Sequence, residues 1–263
     1  MRDITVIIPT TRLSYTEDGI KMLANAVGSA ERAADNYKDG KVEILVVIPS
    51  GVKQPEKQIG KSVRYIENSG ETDYCSQVNF AVGNVKTEYF SILEHDDQYS
   101  DKWFKDFGEY YVSHEDISIF LPVNVLHNAD NGNMEFVNEI VWAASFSDEI
   151  GFIDHDCLDN CSLFNLTGGI FKTSDWLGYK PSVKVAFNYE YLLRATGKKQ
   201  SVFVIPKEGY RHEIFREGSL SAEYLRTVPD SEAQEWFSLA KRESAFDEDR
   251  KKTVIMDKTE ELK

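Results

Sequence analysis

What most constrains this chain is an alternation within its first hundred residues. Residues 4–8, 42–48 and 89–93 are short apolar runs rich in β-branched or aromatic side chains, as in strands buried on both faces, and 62–66 is a weaker run of the same kind. Between them, residues 21–37 place Met22, Leu23, Ala26, Val27, Ala30, Ala33 and Ala34 at helical intervals, and 74–85 put Val78, Ala81 and Val82 on one face. Strands alternating with helices pair in parallel through crossovers. The pattern therefore predicts an α/β fold: a parallel sheet covered by helices on both faces, in a single domain.

Further along, the spacing predicts a helix over 101–112, a strand over 117–122, a polar turn at 128–133 and a mixed stretch containing Gly168-Gly169. A helix over 188–196, a strand over 201–205 and a terminal helix over 231–246 follow. Residues 247–263 read as a charged tail.

Composition narrows the partners. Of 263 residues, 41% are apolar, enough for a sizeable core, yet no apolar run approaches the ~20 residues of a membrane span. The run before Pro9 is too short for a secretory signal, and three cysteines (Cys75, Cys157, Cys161) suit a reducing compartment, so the expected location is the cytoplasm. A formal charge of −14 repels polyanions, which argues against nucleic acid. A small anionic ligand would need a local cation or metal.

Such a place exists at Glu94-His95-Asp96-Asp97. It directly follows a predicted strand, and ligands of open α/β sheets bind beyond the carboxyl ends of strands. Three carboxylates together repel one another unless a positive group sits among them, and their hard oxygens suit Mg²⁺ or Mn²⁺. The plainer alternative is an acidic turn capping the helix that starts near Ser100.

Three ordered segments carry a family resemblance: Ile4-Thr5-Val6-Ile7-Ile8-Pro9-Thr10-Thr11-Arg12, residues 68–79 ending in Asn79, and Glu88-Tyr89-Phe90-Ser91-Ile92-Leu93-Glu94-His95-Asp96-Asp97. They resemble the nucleotide-binding half of family 2 glycosyltransferases of the GT-A fold. Asn165-Leu166-Thr167-Gly168-Gly169 resembles the glycine segment beside the donor sugar, residues 187–194 the helix start bearing the general base, and Gly209-Tyr210-Arg211-His212 with Arg216-Glu217-Gly218-Ser219 the late loop that closes over the diphosphate. The resemblance implies an α/β fold with a mixed, mainly parallel sheet flanked by helices, in one domain over 1–246, with a nucleotide-binding half to 104 and an acceptor and closing half after it.

It implies an inverting, metal-dependent transferase that moves a sugar from a nucleotide-diphosphate sugar to a hydroxyl of a glycan or other acceptor. Asp96 would be the principal ligand of Mn²⁺ or Mg²⁺, with Asp97 and His212 completing the shell and Glu94 touching metal, ribose or sugar. Pro9, Thr10, Arg12 and Asn79 would lie on the nucleotide, Gly168 and Gly169 by the sugar, and Arg216 and Ser219 over the phosphates. The sequence departs from the family where its aspartate base should stand, because Asn188 cannot act as a base near neutral pH. Glu190 is the nearest carboxylate and the candidate base, the alternative being a salt-bridged helix residue. Ile48-Pro49-Ser50 also replaces an acidic residue that reads the base in many relatives.

Glu139, Trp142 and Trp176 are available for an acceptor, although tryptophan at this density is more often core. Gly60-Lys61-Ser62 is no P-loop, since Pro55 stands where its first glycine belongs. His155, Asp156, Cys157 and Cys161 lack a second pair at zinc-site spacing. Two rival readings stay open: a catalytically silent glycan-binding or assembly protein on the same fold, which Asn188 favours, and a nucleotidyltransferase, which the glycine-free loop after Ile8 disfavours.

Overall fold

In the first strand, β1 (Ile4–Pro9), alternation assigns side chains to two helical layers. Ile4, Val6 and Ile8 join Leu23, Val27 and Ala30 of α1 (Glu17–Asp35) and Phe104 and Phe107 of α3 (Trp103–Tyr111). Ile7 joins the opposite layer, with Leu45 and Val47 of β2 (Val42–Pro49), Val78 and Ala81 of α2 (Tyr74–Val82), and Leu192 and Ala195 of α5 (Phe187–Gly197). Both faces of the sheet are thus covered, which is why its central strands read as unbroken apolar runs. The computed structural model describes residues 1–55, 58–147, 149–216 and 227–245; Ser219 and the tail 247–263 lie outside them.

The sheet runs in the order β3 (Val63–Asn68), β2, β1, β4 (Tyr89–Ile92), β8 (Ile170–Lys172), β6 (Ile119–Asn128), β9 (Val202–Ile214), β5 (Gln98–Tyr99), with β7 (Met134–Val137) paired to β6. β1 pairs in parallel with β2 and β4, β2 with β3, and β6 with β9; β8 is antiparallel to β4 and β6, β5 to β9, and β7 to β6. More residues stand in parallel than in antiparallel register, so the fold is the mixed, mainly parallel α/β sheet expected. Among the described residues no helix is long and apolar enough to cross a membrane.

The largest departure from the sequence reading is β9. Its strand does not stop at Ile205 but continues to Ile214, because Pro206-Lys207-Glu208-Gly209 is absorbed as a bulge: the register steps from Leu121↔Val204 to Val123↔Glu208 and Asn124↔Tyr210. Gly209 permits the close approach there, since a Cβ would come within 2.4 Å of the Trp103 ring. Tyr210 and His212 therefore sit on a strand rather than in a loop, and the end of β9 lies against the turn that follows β4. β5, β7 and β8 are too short to stand out in the sequence. His155–Asn160 form a short helix, α4, which buries Cys157 in the core. The terminal helix α6 (Asp230–Ala245) packs on α5.

Candidate active site

The 94–97 turn is held from β9. Asp97 is buried and accepts three hydrogen bonds: Tyr210 Oη donates to Oδ2 at 2.8 Å, His212 Nδ1 to Oδ2 at 2.6 Å, and the Glu213 backbone N–H to Oδ1 at 3.1 Å. A carboxylate offers about four lone-pair sites, so Asp97 is nearly saturated. The Tyr210 hydroxyl also accepts the Glu94 backbone N–H at 3.0 Å, which ties both ends of the turn to one side chain. Asp96 faces elsewhere. Its Oδ2 accepts from the Arg216 guanidinium, and His95 Nδ1 lies 3.6 Å from its Oδ1.

The electrostatics show an acidic site only partly neutralised. Burial, followed by the charge of Asp97, pushes the Glu94 carboxyl up to about 8 from 4.5; His212 counteracts this and Asp96 adds to it. Burial works against a charged His212, but the charge and hydrogen bond of Asp97, then Glu94 and Asp96, outweigh it and raise the imidazole to about 10. His95 moves down, chiefly through burial. Glu94, Asp97 and His212 each offer one ligand atom, and these atoms lie within 4.8 Å of one another. Two hard carboxylates and one imidazole, with excess negative charge, fit a divalent ion such as Mn²⁺ or Mg²⁺. Of the expected ligands, Asp97 and His212 belong to this group; Glu94 completes it, while Asp96 is engaged by Arg216.

The glycine pair lies alongside. Gly168 donates its N–H to Ile92 O at 2.8 Å, and its carbonyl accepts Trp103 Nε1–H at 2.8 Å. On the nucleotide side, Pro9 ends β1 and Thr10 is buried with its hydroxyl donating to Val47 O at 2.5 Å and its carbonyl accepting from Gln77 Nε2. Thr10 thus anchors the loop through both its hydroxyl and its carbonyl, while the Arg12 side chain is exposed. Asn79 is a clamp: its Nδ2 donates to Tyr179 O and its Oδ1 accepts Tyr179 N–H, both at 2.8 Å.

The α5 residues form a second cluster. Glu190 is wholly buried, with Arg194 Nε at 2.6 Å from Oε1, Arg194 Nη2 at 2.9 Å from Oε2 and Lys180 Nζ at 3.2 Å from Oε1. The same guanidinium donates to the carbonyls of Leu177 and Gly178. This is the salt-bridged alternative the sequence left open. Asn188 accepts from Tyr179 Oη at 3.3 Å, and Tyr179 and Tyr74, both aromatic neighbours of Phe187, feel the charge of Glu94. Trp142 donates to Val204 O and Trp176 stacks on Tyr191 at 4.7 Å, so both lie at the core margin; Glu139 is exposed. Sequence reasoning gave no role to Tyr210 or Trp103. The aromatic next to a candidate ligand, in Gly209-Tyr210-Arg211-His212, was the available signal for the first of them.

Residues 5–167 match the family model described as Glycosyl transferase family 2. Among solved structures, S. aureus TarS 1-349 in complex with UDP-GlcNAc aligns with a TM-score of 0.60 at 15% identity, covering 91% of this chain and 65% of that one. S. aureus TarS gives 0.56 at 17%, covering 81% and 37%. The mannosyltransferase PcManGT from Pyrobaculum calidifontis, in complex with GDP-Man and Mn2+, gives 0.56 at 12%, covering 82% and 58%. At such identities the likeness is one of fold, and the chain spans less than two thirds of each of these structures. No curated protein sequence matches it.

Proposed function

The chain belongs to glycosyl transferase family 2 and has the GT-A fold, and from that membership we propose that it moves a sugar from a nucleotide-diphosphate sugar to an acceptor hydroxyl. The observation that carries this reading is the convergence of Glu94, Asp97 and His212 at the carboxyl end of β4, beside the Gly168 turn. Glu94, Asp97 and His212 would hold Mn²⁺ or Mg²⁺, with Asp96 joining once Arg216 releases it. A bound divalent ion supplies positive charge against the leaving nucleoside diphosphate. Arg216 would then be free to turn to the phosphates, where it would help exclude water.

Solved neighbours hold UDP-GlcNAc and GDP-Man, which supports a nucleotide-sugar donor and leaves the base open. Three free thiols support a reducing, cytoplasmic setting. Direct displacement by the acceptor hydroxyl inverts the anomeric centre and calls for a base. Glu190 serves as that base only if Arg194 and Lys180 let go of it; clasped by two cations, it is better suited to bracing residues 177–180. For the same reason a catalytically silent glycan-binding protein is the second reading, since Asn188 brings no acid–base chemistry to the family's base position.

Release of nucleoside diphosphate from UDP- and GDP-sugars, measured with wild type and Glu190→Gln, tests the point. Turnover in wild type that persists in Glu190→Gln supports a transferase with Glu190 as a brace. Turnover lost in a folded Glu190→Gln restores Glu190 as base, and donor binding without turnover in wild type supports the silent reading.

A further inference from the structure

We propose that Tyr210 is a positioning residue for the ion: its hydroxyl fixes Asp97, and through Asp97 the imidazole of His212, in the arrangement that metal binding requires. The inference rests on the metal-site reading above and adds a residue that touches neither the ion nor the substrate.

One oxygen of Asp97 is the hub. Oδ2 receives both the Tyr210 hydroxyl and His212 Nδ1–H, so the tyrosine sets where that oxygen sits and the oxygen sets which way the imidazole faces. With Nδ1 bonded to Asp97, Nε2 is the nitrogen left to take an ion. A carboxylate that accepts from a metal-binding imidazole fixes the ring's orientation, and losing such a partner lowers metal affinity. Tyr210 also holds the other end of the turn by accepting the Glu94 N–H.

The ring is fixed as firmly as its hydroxyl. Tyr210 pairs in register with Tyr99 of β5, and the two rings meet edge-on at 5.6 Å. Gly168 lies against it in the left-handed region, at φ +77°, where a Cβ would come within 2.6 Å of the ring. The Gly168 carbonyl is in turn held by Trp103. The glycine turn and the acidic turn are therefore seated on opposite ends of one side chain, and a change at either is transmitted to the other. Gly168→Ala, although far from being a ligand, should displace the ring and weaken metal binding in the way Tyr210→Phe does.

The test is calorimetric titration of Mn²⁺ into the full chain in four forms: wild type, Tyr210→Phe, Gly168→Ala and Tyr37→Phe. The last removes a hydroxyl that donates to Arg2 O at 2.8 Å, a bond between the end of α1 and the chain start, and so measures the general cost of losing a partly buried phenol bond. Tyr210→Phe keeps the ring and removes only the oxygen. It should bind Mn²⁺ roughly 10–100-fold more weakly, the range for loss of an orienting partner, while Tyr37→Phe shows a comparable change in Tm and wild-type affinity. Gly168→Ala, if folded by circular dichroism, should fall with Tyr210→Phe. A Tyr210→Phe chain that binds Mn²⁺ as wild type does, or a Tyr37→Phe chain that loses as much, overturns the role of Tyr210 and leaves the metal site standing. A wild type that binds no Mn²⁺ overturns the metal site and this inference together.

Discussion

Asp97 and Glu190 are both fully buried carboxylates, and the difference between their partners separates a site from a brace. Glu190 is matched by permanent cations, Arg194 on both oxygens and Lys180 beside one. Its charge is cancelled, and the guanidinium spends its remaining donors on the 177–178 carbonyls. Asp97 is matched by a phenol, a backbone N–H and an imidazole. Only the imidazole can cancel charge, and after burial, the larger cause, the residual charge of Asp97 helps raise the Glu94 carboxyl next door. A buried acid with permanent counter-ions has finished its work when the chain folds, whereas one with neutral or titratable partners is left able to take a cation.

That contrast can be broken first where the effect is largest. Arg194→Ala strands Glu190 in the core with Lys180 alone, and leaving a buried charge without its principal partner costs about 3–5 kcal/mol. Urea unfolding should show a loss of that order, and Glu190→Gln, which removes the charge itself, should cost less. If Arg194→Ala unfolds like wild type, Glu190 is not the charged brace described.

A smaller effect probes the Asp97 side of the contrast by pH, through its neighbours Glu94 and His212. In the metal-free chain Glu94 is raised from 4.5 to about 8 and His212 from 6.5 to about 10. A raised group binds more protons folded than unfolded, so its contribution is complete below the unfolded value and is lost as pH rises through the folded one. Thermal stability should therefore decline from about pH 4.5 to 8 through Glu94 and from about 6.5 to 10 through His212, most steeply where the two windows overlap. Added Mn²⁺ takes both groups deprotonated, so the Tm it restores should grow with pH over the same range. Stability that instead climbs between pH 6.5 and 8 without metal contradicts the assignment.

Much of the fold was legible because β1, β2 and β4 are apolar runs whose burial needs no knowledge of the rest of the chain, and the acidic turn was legible because its three carboxylates fall within four residues. The partners that give the turn its character were not. Tyr210 reaches Asp97 across 113 residues from a strand whose continuation past Ile205 depends on a bulge against β6, and Arg216, just beyond that strand's end, reaches Asp96 across 120. Nothing local announces such a pairing. Glu190 is the opposite case: Arg194 stands four residues on, the spacing of neighbours on one helix face, so its salt bridge was readable from the sequence. Asn79 could be placed on α2, but its clamp on Tyr179 crosses 100 residues and emerges only in the folded chain.

The smallest effect concerns Arg216, whose guanidinium stands on Asp96 in the place a cation would take. Arg216→Ala should tighten Mn²⁺ binding by no more than about fivefold, as suits a partly exposed ion pair, while weakening nucleoside diphosphate in the presence of metal. Weaker Mn²⁺ binding in this variant would mean that Arg216 supports the site rather than competing for it.

Calorimetric titration of UDP and GDP, with and without Mn²⁺, into wild type and Asp97→Asn puts the site itself to the test. One nucleotide should bind wild type only when Mn²⁺ is present, and should bind Asp97→Asn far more weakly under the same conditions. Binding that is indifferent to both the ion and Asp97 would contradict a diphosphate held through a metal at the 94–97 turn.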